Sequence, residues 1–177
     1  GPAGLEPEVS SRSPPPYLVF DDILEPAEHQ ALVDLALGHL DDFSPSGVHA
    51  ADAEAAGDLH LDLRRSRSIY DLGEAWEPLR DRFLALLPHA RRELDVPWFP
   101  LGDVEHHLTA HGEGDHFTRH VDNTTPDTSR RLVSAVYYFN RSPRRFTGGD
   151  LRLFDTVERD GVVEPAGTHT DIEPRDN

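Results

Sequence analysis

The sequence predicts an α+β domain, with two helical segments first and a run of short strands after them. That order packs helices on one face of an antiparallel sheet or barrel. Apolar residues recur at helical spacing between Glu25 and Leu94, and the pattern changes to short β-like runs from Leu101 onward. Turn signals rich in Gly, Asp and Pro separate those runs. At 177 residues the chain has the length of one domain with one core.

Residues 1–16 are rich in Pro, Ser and Glu, end in Pro14-Pro15-Pro16, and read as a flexible leader. Gly1-Pro2, with no initiator Met, reads as the remnant of a cleaved affinity tag. A single domain is expected over 17–177, with order starting at Tyr17-Leu18-Val19-Phe20. Glu25-Pro26 opens a helix that carries Leu32, Leu35, Ala36 and Leu40 on one stripe. Residues 41–62 are acidic, lack periodicity and read as a long loop, in which His49 and His60 are solvated. Arg67-Ser68-Ile69-Tyr70 reads as a strand. A second helix follows from about Glu74, with Trp76, Leu79, Phe83, Leu87 and Leu94 at core positions, and Pro88 should kink or split it. Strands are expected at 104–110, 116–122, 131–140, 149–155 and 166–172. Turns fall at Gly112/Gly114, Thr124–Asp127, Arg141–Gly148 and Arg159-Asp160-Gly161.

Composition removes several chemistries. Cysteine is absent, which excludes disulfides, thiolate zinc sites and thiol catalysis. No apolar run approaches the ~20 residues of a membrane span, and a soluble, cytoplasmic protein is the expectation. A net charge of −16 argues against nucleic acid as a partner. The plain reading of that charge is a solvated acidic surface, and the sharper one a cationic substrate. All 17 basic residues are Arg, a bias that fits a GC-rich bacterial genome.

The chemistry concentrates in His116-Phe117-Thr118-Arg119-His120-Val121-Asp122-Asn123-Thr124. On a strand His120 and Asp122 would share a face, about 6.6 Å apart along the backbone, and could converge on one metal ion. They would form two of the three ligands of a 2-His-1-carboxylate facial triad. His116 would lie about 13 Å from His120 along the same strand, too far to bind the same ion. His107 and His111 are four apart, a metal-binding spacing only on a helix, and the local pattern is strand.

The order of segments around this pair carries more than the pair itself. Phe117–Asn123, then Val136-Tyr137-Tyr138-Phe139-Asn140, then Gly148-Gly149-Asp150-Leu151-Arg152-Leu153-Phe154, then Thr170-Asp171-Ile172-Glu173-Pro174 resembles the Fe(II)- and 2-oxoglutarate-dependent oxygenases. The closest branch is the prolyl 4-hydroxylase-like one. The resemblance covers roughly 17–177, with specific motifs only in 104–177.

It implies a distorted double-stranded β-helix (jelly-roll or cupin-like) with flanking N-terminal helices. It implies Fe(II) held by His120 and Asp122, and 2-oxoglutarate contacted by Tyr138 and lined by Val136, with ascorbate as an auxiliary reductant. A peptide or small-molecule substrate follows, hydroxylated at a prolyl or other amino-acid residue or on a small metabolite. Gly148 and Gly149 read as structural, shaping a turn where a side chain would clash. The loop 41–66 falls where relatives carry a mobile segment at the substrate entrance, and reads as a lid or a variable surface loop.

Ala110 stands where relatives often hold a tyrosine facing the cofactor. His169 precedes the position of the distal histidine ligand and reads as a strand residue. The resemblance therefore implies a parent polypeptide that continues past Asn177 into an apolar strand, the distal His and a basic residue clamping the cofactor carboxylate. A non-catalytic oxygenase-like interaction module is the alternative, and a metal hydrolase using the same His-x-Asp a third.

Overall fold

A computed structural model of the chain describes residues 10–12, 15–46, 62–159 and 162–177. Helix α1 (Pro26–Gly38) starts where the sequence places it. Pro26 takes the first turn, and the Glu25 N–H donates to Glu28 Oε2 at 3.1 Å. Leu32 and Val33 are buried, and Leu35 and Ala36 half-buried. Leu40, expected on the same stripe, falls beyond the helix in a 3-10 turn (Leu40–Asp42) and is exposed.

The second helix begins as a 3-10 turn (Gly73–Trp76) and continues as α2 (Glu77–Glu93). Trp76 and Leu79 are buried, while Phe83, Leu87 and Leu94 are half-buried. Pro88 does not split the helix, which is continuous through it. An imino nitrogen removes one backbone bond there, but the position is exposed, so the orphaned carbonyl can meet solvent. Arg91 and Arg92 in the last turn complement the helix dipole.

Three small antiparallel sheets follow from the strands. In one, β1 (Ser10–Arg12), β7 (Leu151–Arg159) and β8 (Val162–Ile172) lie in the order β1-β7-β8. In the second, β2 (Ser44–Pro45), β4 (Arg67–Ile69) and β5 (Leu108–Ala110) lie in the order β2-β4-β5. The third pairs β3 (Arg64–Arg65) with β6 (His116–Phe117), Arg64 opposite Phe117. The β7–β8 register shifts between Phe154 and Thr156, where Gly167 adopts φ +88° and the Thr168 hydroxyl donates to buried Asp155.

Leu24, Leu32, Leu72, Trp76 and Leu79 form the buried core, and Ile69, Leu108, Tyr137 and Phe139 pack against it from the strand side. Three buried serines are satisfied among themselves: Ser66 Oγ donates to Ser46 Oγ at 2.9 Å, and Ser46 and Ser68 share a bond of 2.7 Å. Among the described residues no helix is long and apolar enough to cross a membrane.

Several expectations are corrected. The described residues form three small sheets and not a closed double-stranded β-helix. The strand expected at 131–140 is not one: a strand needs a ladder partner, and none is assigned to it among the described residues. The strand expected at 116–122 stops at Phe117. The Thr118 N–H goes to the Leu63 carbonyl and the Thr118 carbonyl is taken by a side chain, so the ladder cannot run on.

Within the segment read as a leader, residues 10–12 pair with β7. The loop expected over 41–66 is occupied at its ends by β2 and β3, while His49 and His60 lie outside the described residues. At Gly148 the need for glycine is conformational (φ +76°), since an added Cβ would meet nothing within 4 Å. At Gly149 φ is +82°, and a Cβ would meet Pro174 at an ordinary 3.6 Å.

Candidate metal centre

Past β6 the chain turns, and the turn brings the two chemically important side chains together. His120 Nε2 lies 3.2 Å from Asp122 Oδ1. The spacing expected from a strand is not how they meet: the backbone of 118–123 is irregular, and the convergence comes from the turn.

Each group is held from behind. The Nδ1–H of His120 donates to the Thr118 carbonyl at 2.7 Å, which fixes the tautomer that leaves Nε2 toward Asp122. The imidazole also stacks on Phe117, ring centres 3.6 Å apart and planes 15° apart. Arg64 from β3 sits over the same Phe117 ring at 4.7 Å, its Nε donating to Ser66 Oγ at 3.0 Å. Asp122 Oδ2 accepts from Ser134 Oγ at 2.7 Å, and the Asp122 backbone carbonyl accepts from Arg131 Nη1 at 3.3 Å. Arg131 is itself paired with Glu105.

The electrostatics follow from this arrangement. The hydrogen bond from His120 holds the Asp122 carboxyl well down, to about 2, with Ser134 and Arg131 adding to the effect against partial burial. The His120 pKa is raised, first by its bond to Asp122 and then by Thr118, against partial burial. When His120 is protonated, its Nε2–H points into the gap toward Asp122. A divalent ion would take that proton's place: two ligand bonds of about 2.1 Å at roughly a right angle put donor atoms ~3 Å apart. Imidazole nitrogen with carboxylate oxygen is also a donor set suited to Fe(II). His120 and Asp122 thus fit two ligands of such an ion. Among the described residues no third His, Asp or Glu joins them.

The other expected residues are placed as follows. His116 bonds to the Gly114 carbonyl at 3.2 Å and the Asp62 carbonyl at 3.4 Å, away from the pair. His107 lies against Tyr70, and burial and Arg64 push its pKa down; burial does the same for His111. Within 131–140 the contacts alternate. Tyr137 and Phe139 face the core, whereas Ser134 reaches Asp122. Val136 and Tyr138 share the parity of Ser134; Val136 is exposed, and burial followed by Asp150 raises the Tyr138 pKa. His169 packs near Phe154 on the β7–β8 hairpin.

Thr118, Phe117, Arg64, Arg131 and Ser134 were not singled out from the sequence. Phe117 and Thr118 lie in the His116–Thr124 stretch, and Ser134 is the one polar side chain in the apolar run Leu132–Val136.

Residues 106–177 match the family model of the 2OG-Fe(II) oxygenase superfamily. Over 164 residues the chain is 26% identical to an uncharacterised PKHD-type hydroxylase of Synechocystis sp., an alignment covering 93% of this chain and 52% of that protein. The chain therefore spans about half the length of the curated relative it matches. No solved structure matches it. The stretch that turns His120 toward Asp122 lies inside the matched segment, and over residues 106–177 the chain is similar to the 2OG-Fe(II) oxygenase superfamily.

Proposed function

We propose that this protein is an Fe(II)- and 2-oxoglutarate-dependent hydroxylase acting on a C–H bond of a prolyl or other amino-acid residue, or of a small metabolite. The observation that carries the reading is the 3.2 Å approach of His120 Nε2 to Asp122 Oδ1, with the His120 tautomer set by Thr118. When bound, iron and 2-oxoglutarate supply the oxidation: the cosubstrate and O2 are consumed, and succinate, carbon dioxide and the hydroxylated product are released.

The chain's own residues supply placement. His120 and Asp122 hold the metal on one side. Val136 and Tyr138, on the parity of Ser134, wall the space beside it, and the Tyr138 hydroxyl, kept protonated by burial, donates to a carboxylate of 2-oxoglutarate. A bacterial cytoplasm is the setting, with ascorbate as reductant.

The test is iron-dependent succinate formation from 2-oxoglutarate by the full-length protein, wild type against Asp122→Ala. Loss of succinate in the variant is expected. Unchanged turnover would overturn the site assignment. A wild-type protein that binds the metal but forms no succinate would favour the non-catalytic interaction module.

A further inference from the structure

We propose that Ser134 selects which oxygen of Asp122 faces the metal, making it a positioning residue for the carboxylate ligand; this inference rests on the metal-site reading above. The two oxygens of Asp122 are not equivalent. Oδ2 accepts the Ser134 hydroxyl at 2.7 Å, while Oδ1 lies 3.2 Å from His120 Nε2. An aspartate's terminal torsion is broad and two-fold, so an untethered carboxylate can offer either oxygen, or both. A short hydrogen bond to one oxygen sets that torsion and withdraws that oxygen from the ion. Asp122 then binds through Oδ1 alone, which keeps a coordination position open that a two-oxygen grip would fill.

The base of the residue is tied from the same segment as its tip. Arg131 Nη1 donates to the Asp122 carbonyl at 3.3 Å, and Asn123 Nδ2 donates to the Arg131 carbonyl at 3.5 Å. Glu105 Oε2 receives Arg131 Nε at 3.1 Å and fixes the guanidinium in turn. Residues 122–123 and 131–134 are therefore joined by side-chain ties where a ladder would otherwise run. Ser134 stands at the one point of this seam that touches the ligating group. A hydroxyl suits the role because it donates to the carboxylate without bringing a charge to compete with the metal.

The experiment titrates Mn(II) into metal-free wild type, Ser134→Ala, Ser134→Thr and Asp122→Ala, following free Mn(II) by electron paramagnetic resonance. The unfolding midpoint of each metal-free protein is measured alongside, together with the visible spectrum of the Co(II) forms. Ser134→Ala is expected to weaken Mn(II) about 10–100-fold, the cost typical of losing a partner behind a ligand, with an unchanged metal-free midpoint. Ser134→Thr, which keeps the hydroxyl, is expected to restore the wild-type affinity and the wild-type Co(II) spectrum.

Wild-type Mn(II) affinity in Ser134→Ala, with loss in Asp122→Ala, would overturn this inference and leave the metal site standing. Wild-type affinity in Asp122→Ala would overturn the site itself. If Ser134→Ala lowers the metal-free midpoint, Ser134→Thr decides: a threonine variant as weak as the alanine one overturns the role of the hydroxyl.

Discussion

The Arg64 guanidinium sits 4.7 Å from the centre of the Phe117 ring, and that ring is stacked on the imidazole of His120. A strand remote in sequence thus supports the His120 imidazole through an aromatic spacer. Phe117→Leu removes the stack and leaves Thr118 as the hold behind the ring, so Mn(II) affinity should fall about tenfold, at the low end for such supports. Arg64→Met removes a cation–π contact worth about 0.5–1 kcal/mol and should cost stability more than metal affinity. Urea unfolding and Mn(II) titration separate the two. Equal metal loss in both variants would contradict the order of support.

A metal held by His120 and Asp122 would have to displace the proton between them. The raised His120 pKa means that its stabilising bond in the metal-free fold is fully present below its ordinary 6.5 and is lost as pH rises through the folded value. Asp122 is lowered to about 2 from 3.8, so its contribution is present above 3.8 and is lost as pH falls toward 2. Metal-free stability from the pair is therefore full between about pH 3.8 and 6.5. Mn(II) affinity should climb as pH rises through the His120 value, with about one proton released per ion, and flatten above it. Calorimetry in buffers of different ionisation heat counts that proton; a pH-independent affinity would contradict the competition.

Tyr137 and Tyr138 are neighbours with different surroundings. The Tyr137 hydroxyl donates to Asn177 Oδ1 at 2.8 Å and lies 2.8 Å from His29 Nδ1, joining α1 to residues 137–140 and 176–177. Tyr137→Phe leaves the partly buried His29 Nδ1 unmet, while Asn177 Oδ1 keeps the Leu24 N–H, and should cost about 1–3 kcal/mol of stability. Tyr138→Phe should leave the unfolding midpoint unchanged and weaken 2-oxoglutarate by about 1–2 kcal/mol, for one bond to a charged group. Thermal unfolding and cosubstrate titration read the contrast. An equal loss of stability in both would remove Tyr138 from the pocket.

Gly148 is open to substitution in space but not in conformation. Nothing lies within 4 Å of an added Cβ, yet φ is +76°. Gly148→Ala should cost about 1–2 kcal/mol and Gly148→Asn less, because Asn tolerates the left-handed region. Equal costs would point to crowding.

The sequence made some parts of this molecule plain and hid others. Glu25-Pro26 and the Trp76, Leu79, Phe83 spacing announced helices because capping and periodicity are local. The Leu151–Phe154 and Thr170–Ile172 runs announced strands, with a turn at Arg159-Asp160-Gly161 between them, for the same reason. Residues 131–140 have the apolar run of a buried strand, but a ladder depends on a partner that no local pattern reveals. His120 and Asp122 were legible as a pair, though the turn that joins them was not. Their supports were hidden because Arg64 and Glu105 arrive from distant positions, and a serine that anchors a carboxylate looks like any other serine.

The acceptor behind His120 has one more consequence. Thr118 offers a neutral carbonyl at 2.7 Å where many metal-bound imidazoles are backed by a carboxylate. A neutral backing would leave the imidazole a milder electron donor, with a looser grip on an ion bound there. A metal centre built on this pair would favour exchange over retention, filling from the surrounding pool, emptying on dilution or chelation, and leaving occupancy to track the supply of metal.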